Sequence, residues 1–227
     1  SHNINRMLTI SPSAKFSTIH LSVLHSFRQE ISLNIILAST SKIRGKILSA
    51  AGLKFSVLNS EIDEAAAKSS LMKLSPQEMS LQLAKLKAEK ISRQHPEAIT
   101  IGADQVLGFK NRSFDKPVSR ADAESQLSML RNATHTLHSA VSCAIAGAEV
   151  WNHCSEARLT MRDFTADFLT SYLDDSPADY LSSVGAYKLE ETGIQLFEKI
   201  EGDYFTILGL PLLPLLAFLR ERKIIAS

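Results

Sequence analysis

The stretch Asn34-Ile35-Ile36-Leu37-Ala38-Ser39-Thr40-Ser41-Lys42-Ile43-Arg44-Gly45-Lys46 decides the fold. Four apolar residues from Ile35 read as a strand, Ser39-Thr40-Ser41 as a polar break, and the next stretch as a helix ending at Gly52. Strand, turn, helix is how an α/β fold begins. Lys42, Arg44 and Lys46 crowd the first turns of that helix and oppose the positive end of its dipole. Two readings stay open. Ser41 is the N-cap of a solvated helix start. Alternatively, backbone N–H groups, the hydroxyls of Ser39 and Ser41 and the Arg44 guanidinium form a phosphate cradle that needs no glycine-rich loop.

Working outward, Leu53 to Leu58 reads as a second strand and Glu61, Asp63 and Glu64 as an acidic turn. Ser75-Pro76-Gln77-Glu78 is a capping box with proline at the first helical position, opening a helix to about Gln94. Ala98 to Ala103 is a buried strand expected to stop at Asp104, and Gly108 to Asn111 a hairpin turn. Ser119 or Asp122 starts a helix to Arg131. His135 to Ala146 and Glu149 to Met161 form a hairpin turning near Gly147. Helix is expected from Thr165 to Tyr180, a strand from Gly193 to Ile200, and a last apolar helix opening at Pro211. No repeat or low-complexity tract interrupts this order, so residues 34–227 read as one α/β domain.

The 227 residues carry 25 Lys+Arg against 24 Asp+Glu, a net charge of +1, which gives no electrostatic handle for a nucleic-acid polymer. Cys143 and Cys154 stand eleven positions apart without a Cys-x-x-Cys pair, so neither a disulfide scaffold nor a structural zinc site is encoded. That fits a reducing cytoplasm. The most apolar run, Ile207 to Leu219, is shorter than the ~20 residues of a membrane span and contains Gly209, Pro211 and Pro214. No membrane association is expected. Residues 1–33 differ in character: rich in Ser and His, without sustained periodicity, they read as a leader, a tag remnant or an over-called start.

Asp104 ends an apolar run, which places a carboxylate at the carboxyl end of a buried strand, where open α/β sheets bind ligands. A turn aspartate is the equal alternative. Gly102 would let backbone or ligand approach closely. Lys87 lies in the helical stripe Met79, Leu83, Lys87, Ile91, and the residues alone favour an ammonium that snorkels out of it. Glu64 and Lys116 matter only as members of a constellation. Two carboxylates and several cations around a helix N-terminus are what metal-assisted phosphate-ester hydrolysis needs. The seven histidines are scattered and read as structural.

Seven segments, in order, carry a resemblance. They are Ile36-Leu37-Ala38-Ser39-Thr40-Ser41-x-x-Arg44, Glu61-Ile62-Asp63-Glu64, Leu83-Ala84-x-x-Lys87-Ala88, Ile101-Gly102-Ala103-Asp104-Gln105-Val106, Lys116-Pro117, Gly185-Ala186-Tyr187, and Gly202-Asp203-Tyr204-x-x-Ile207-Leu208-Gly209-Leu210-Pro211. Together, from Ile35 to about Arg222, they closely resemble the Maf family of nucleoside triphosphate pyrophosphatases. The resemblance implies a mixed, twisted central sheet flanked by helices, Maf/ITPase-like, with two lobes around a nucleotide cleft. It implies hydrolysis of the α–β phosphoanhydride to a nucleoside monophosphate and pyrophosphate, with a divalent cation, Mg²⁺ or alternatively Mn²⁺, in a cytoplasmic homodimer. Asp104 would be the catalytic proton acceptor and, with Glu64, a metal ligand. Ser39, Ser41, Arg44, Lys87 and Lys116 would grip the triphosphate, which gives Lys87 a reason to reach into the cleft.

The departures point to a branch. The usual Ser-Pro-Arg-Arg is here Ser41-Lys42-Ile43-Arg44, and Glu190 stands where the dTTP/UTP branch has glutamine. A carboxylate accepts from a guanine N1–H and exocyclic amine but would face the carbonyl oxygens of uracil or thymine. Gln105, where that branch has threonine, and Ile43, in place of arginine, point the same way. All three resemble the branch that hydrolyses 7-methylguanosine triphosphate. The alternatives are a dTTP or UTP pyrophosphatase, or a weakly active nucleotide-binding regulator of cell division.

Overall fold

The computed structural model describes residues 34–110, 112–175 and 178–226. The expected N-terminal extension, residues 1–33, lies outside the described residues. Among the described residues the strands are β1 (Asn34–Leu37), β2 (Ser56–Val57), β3 (Ala98–Phe109), β4 (Arg112–Phe114), β5 (Thr134–Ile145), β6 (Ala148–Met161) and β7 (Phe197–Glu201). The helices are α1 (Lys42–Ala50), α2 (Glu64–Ser70), α3 (Pro76–Gln94), α4 (Arg120–Leu130), α5 (Ala166–Asp175), α6 (Tyr204–Ile207) and α7 (Leu212–Glu221). Three short 3-10 turns, Ala178–Ser182, Val184–Ala186 and Thr192–Leu196, separate α5 from β7.

All seven strands join one mixed sheet, in the order β2-β1-β3-β5-β6-β7, with β4 added to the end of β3. β1 runs parallel to both neighbours, while β3, β5, β6 and β7 are joined antiparallel. The long β5–β6 hairpin turns at Ala146-Gly147, both at positive φ. The fold is therefore the α/β mixed sheet with flanking helices that the sequence predicts.

Two large apolar clusters divide the core. One gathers Leu107, Leu127, Leu130, Leu137, Leu159 and Phe164 under α4 and α5. The other joins Leu37, Leu48, Ile99, Ile101, Leu215 and Leu219 between the sheet, α1 and α7.

Several local expectations shift. Helix α3 starts with the complete capping box, Ser75 Oγ accepting from Glu78 N and Glu78 accepting from Ser75 N, and ends at Gln94. Strand β3 does not stop at Asp104 but continues to Phe109, because β5 pairs with it from Thr100 to Gly108. The acidic turn is instead a helix: Asp63 caps it by accepting from Ala66 N at 2.9 Å, and Ala65-Ala66-Ala67 propagate it. α5 ends at Asp175 rather than Tyr180, and only Phe197 onward of the expected last strand is extended. Pro211 is the N-cap of α7 rather than its first helical residue.

Candidate active site

The cleft exists because one side of β3 lacks a neighbour for part of its length. β1 covers β3 only from Ala98 to Ile101, and β4 only from Leu107 to Phe109. Residues 102–106 between them have an open edge. Alternate residues point to opposite faces of a strand, so Gly102, Asp104 and Val106 look toward α3 while Ala103 and Gln105 look away. Both faces reach the opening, and Asp104 and Gln105 line the same cleft.

Arg44 closes the open edge. The Ile101 carbonyl accepts from Ala38 N at 2.8 Å; the Ala103 carbonyl, two residues on and aimed the same way, has no strand partner. Arg44 Nη1 donates to it at 3.1 Å and to Ser39 Oγ at 3.2 Å, while Nε donates to the Gly209 carbonyl at 2.7 Å. Gly209 sits at φ +92°, and a Cβ there would press on the guanidinium at 3.3 Å. Burial lowers the Arg44 pKa, against the opposing pull of Asp104 and Glu64. All three acceptors are neutral, so they fix the guanidinium without cancelling its charge. Ser41 stands at the α1 N-cap but its side chain makes no capping bond; its N–H donates to Ser39 Oγ at 3.3 Å. Ser39 and Ser41 both face the open recess that adjoins the cleft.

Lys87 does not snorkel. It is 7% exposed, and its ammonium lies 2.7 Å from Asp104 Oδ1 and 2.7 Å from Glu64 Oε1. The reach is set by Gly102: a Cβ there would overlap the Ala84 carbonyl oxygen and stand 2.7 Å from Ala88 N, so only glycine lets α3 lie this close to β3. Asp104 Oδ2 accepts nothing from the described residues. For Glu64, burial works to raise the carboxyl pKa, but the Lys87 hydrogen bond and the charges of Lys87, Lys116 and Lys68 outweigh it and hold the pKa low. Lys116 stands at the exposed rim, its amine pKa lowered by partial burial, with Glu64 opposing and Arg44 adding to the effect.

Gln105 is locked by its amide nitrogen, which donates to Ser139 Oγ at 2.8 Å and to the Ile207 and Thr206 carbonyls at 3.0 and 3.2 Å. Two carbonyls demand a donor, so the amide orientation is chemically fixed and Oε1 remains as the acceptor. Asp203 prepares this clamp by capping α6 through Phe205 N and Thr206 N. Ile43 and the exposed Glu190 complete the lining.

No cluster of three or more His, Cys, Asp or Glu side chains forms a metal cage among the described residues. Glu64 and Asp104 are a pair, with the Lys87 ammonium seated between them. Two hard oxygens around a cation fit an ion such as Mg²⁺, which keeps waters and substrate oxygens in the rest of its shell.

The family model described as Maf-like protein matches residues 34–222. This chain belongs to the Maf family. It is 49% identical over 189 residues to a Rhizobium etli protein named 7-methyl-GTP pyrophosphatase, covering 82% of this chain and 95% of that one. A Bradyrhizobium diazoefficiens protein named nucleoside triphosphate pyrophosphatase is 48% identical over 192 residues, 85% of this chain and 95% of its own. A Brucella abortus protein, also named 7-methyl-GTP pyrophosphatase, is 45% identical over 197 residues, 86% of this chain and 99% of its own.

Within this Maf protein the two clefts together gather every residue that the motifs nominate: Ser39, Ser41, Ile43, Arg44, Glu64, Lys87, Asp104, Gln105, Lys116 and Glu190. They also contain Lys68, Ser182, Ser183, Tyr187 and Lys188, which the sequence reading leaves without a role. Lys68 was legible as the i+4 partner position of Glu64 on α2, had that segment been read as helix. Ser182, Ser183 and Lys188 lie in irregular backbone, where no periodicity announces direction. His135 is structural as expected: it is buried, and its Nε2 lies 2.7 Å from the Tyr187 hydroxyl. Both cysteines are free. No helix among the described residues is long and apolar enough to cross a membrane.

Proposed function

We propose that this Maf protein hydrolyses the α–β phosphoanhydride of nucleoside triphosphates, giving the monophosphate and pyrophosphate, with 7-methylguanosine triphosphate as its preferred substrate. The observation that carries the reading is the pairing, in one cleft, of a carboxylate with an unused oxygen, Asp104, and a half-buried guanidinium whose hydrogen bonds go to neutral acceptors, Arg44. The names of the relatives support the same chemistry.

In the mechanism, Arg44, Lys116 and the Ser39 and Ser41 hydroxyls bind the phosphates and accumulate positive charge where the leaving pyrophosphate develops negative charge. Asp104 Oδ2 accepts a proton from the attacking water as the new P–O bond forms at the α-phosphorus. The α–β bridging oxygen leaves with pyrophosphate. Lys87, bonded to Oδ1, fixes the carboxylate's direction. A divalent cation, Mg²⁺ or Mn²⁺, held by Glu64 and Asp104, would supply charge neutralisation at the phosphate oxygens.

At the base end, Gln105 Oε1 and the Glu190 carboxylate are acceptors facing a purine's N–H groups. The cationic ring of a 7-methylguanine favours a carboxylate further. The reading includes a homodimer in the cytoplasm; light scattering of the purified protein tests the oligomeric state.

The deciding experiment is pyrophosphate release from a panel of canonical and modified nucleoside triphosphates with Mg²⁺ or Mn²⁺. Asp104→Asn is expected to remove a general base and with it about 10²–10⁴ in rate. Glu190→Gln is expected to shift the ratio of guanine to pyrimidine substrates toward pyrimidines. Silence of the wild type across the panel refutes the enzymatic reading.

A further inference from the structure

The cations of the cleft are held in two different ways. Arg44 is bonded to carbonyls and a hydroxyl, and its charge is left over for a ligand. Lys87 is bonded to two carboxylates at 2.7 Å each, and its charge is consumed by the protein. Those two carboxylates are the pair that would hold the divalent cation. The ammonium that bridges them is 7% exposed, carried on a helix that Gly102 presses against the sheet. Glu64, by contrast, begins a helix that buries no residue, and its side chain is 47% exposed. Of the two carboxylates, Glu64 is the more exposed and the less enclosed by packing.

We infer that Lys87 is a placeholder cation: in the nucleotide-free protein it occupies the metal site electrostatically, so the divalent ion is not bound in advance but enters with the nucleotide. An ammonium bridging both carboxylates and a divalent ion between them would repel each other. Lys87 can release Glu64 without leaving its buried helix, by turning its ammonium toward an incoming phosphate oxygen. The triphosphate thus supplies both the replacement partner for Lys87 and the remaining ligands of the metal. Metal and substrate become obligatorily coupled, and the pair of carboxylates never faces itself uncompensated. Lys87 is accordingly a positioning residue for the metal as well as a phosphate contact. The inference rests on the assignment of Glu64 and Asp104 as the metal pair.

The test is Mn²⁺ binding followed by electron paramagnetic resonance, which reads free Mn²⁺ without turnover. Nucleotide-free wild type, wild type with an α,β-methylene nucleotide analogue, and nucleotide-free Lys87→Met and Lys87→Gln are compared. Expected are weak binding to the free wild type, tight binding with the analogue, and a gain of about tenfold or more in both nucleotide-free variants, because the competing ammonium is gone. Adding Asp104→Asn to Lys87→Met should abolish the gain. Tight Mn²⁺ binding by nucleotide-free wild type overturns the inference, and so do folded Lys87 variants that bind no better. The wild-type comparison stands even where a variant does not fold. Failure of the functional reading looks different: wild type then releases no pyrophosphate, whatever the Mn²⁺ titrations give.

Discussion

Gly102→Ala tests whether the active site depends on how closely α3 lies on β3. The new methyl would overlap the Ala84 carbonyl oxygen and stand 2.7 Å from Ala88 N, both backbone atoms that cannot swing aside. Relief requires α3 to withdraw by roughly 1 Å, a strain of the small-to-large kind that costs about 1–3 kcal/mol. For a chain of this size each kcal/mol lowers the melting temperature by about 2–4 °C, so a fall of about 2–12 °C is expected. The same withdrawal lengthens the 2.7 Å bond between Lys87 Nζ and Asp104 Oδ1 toward 3.7 Å, beyond hydrogen-bond range. A base displaced by about 1 Å loses on the order of 10² in rate. Thermal melting by circular dichroism and steady-state pyrophosphate release measure the two effects. Gly45→Ala is the control: it lies inside α1 with nothing within 4 Å of the added methyl, and it should gain roughly 0.5–1 kcal/mol. A Gly102→Ala protein that melts within about 1 °C of wild type and keeps its rate within about twofold refutes the reasoning.

Other consequences rest on single residues. Arg44→Lys keeps the charge but cannot span the Gly209, Ala103 and Ser39 acceptors, so the substrate KM should rise about tenfold or more, read from initial rates. Asp63→Ala removes the α2 cap, worth about 1 kcal/mol, from a helix with no buried residue. The Mg²⁺ concentration for half-maximal activity should rise several-fold while the melting temperature stays put; a lowered melting temperature with unchanged Mg²⁺ demand would count against α2 as a loosely held carrier of Glu64. Burial lowers the His135 pKa from 6.5 to about 4. Its contribution is complete above pH 6.5 and is lost as pH falls toward 4, by about 3 kcal/mol in all. Urea titrations of wild type and His135→Gln across that window should differ by this slope.

The sheet's order of elements was readable because its signals are local. Strand–turn–helix at Ile35, the capping box at Ser75 and the β5–β6 hairpin each declare themselves within a few residues. The extent of β3 was not readable, since nothing near Asp104 reports that β5, some thirty residues away, will pair past it. The same long-range fact creates the cleft: the opening lies where β1 ends and β4 has not begun. α2 escaped for the opposite reason. Its alanines and Asp63 cap are a helix signal, but it fully buries no residue and only Ala67 packs, partly buried, against the core, so amphipathic periodicity is weak on such a segment. Lys87 was visible as an anomaly in an apolar stripe. Its direction depends on Gly102 and on two carboxylates, one of them in that unread helix.

The way each cation is held has a consequence for what mutation can separate. A guanidinium fixed by backbone carbonyls keeps its place when the cleft is empty, because the Ala103 carbonyl at the open strand edge needs a donor whether or not substrate is present. Arg44 is therefore both a structural closure for β3 and the phosphate anchor, and its loss should weaken fold and binding together. An ammonium fixed by carboxylates is held only while those carboxylates are unclaimed. Lys87, Glu64 and Asp104 together carry one net negative charge: Asp104→Asn leaves Lys87 paired with Glu64 alone, whereas Lys87→Met leaves two facing anions. Pairs of substitutions within this set should be non-additive by roughly 0.5–3 kcal/mol. A double-mutant cycle in which Lys87 and Asp104 changes sum without coupling would mean that the bridge contributes nothing in solution.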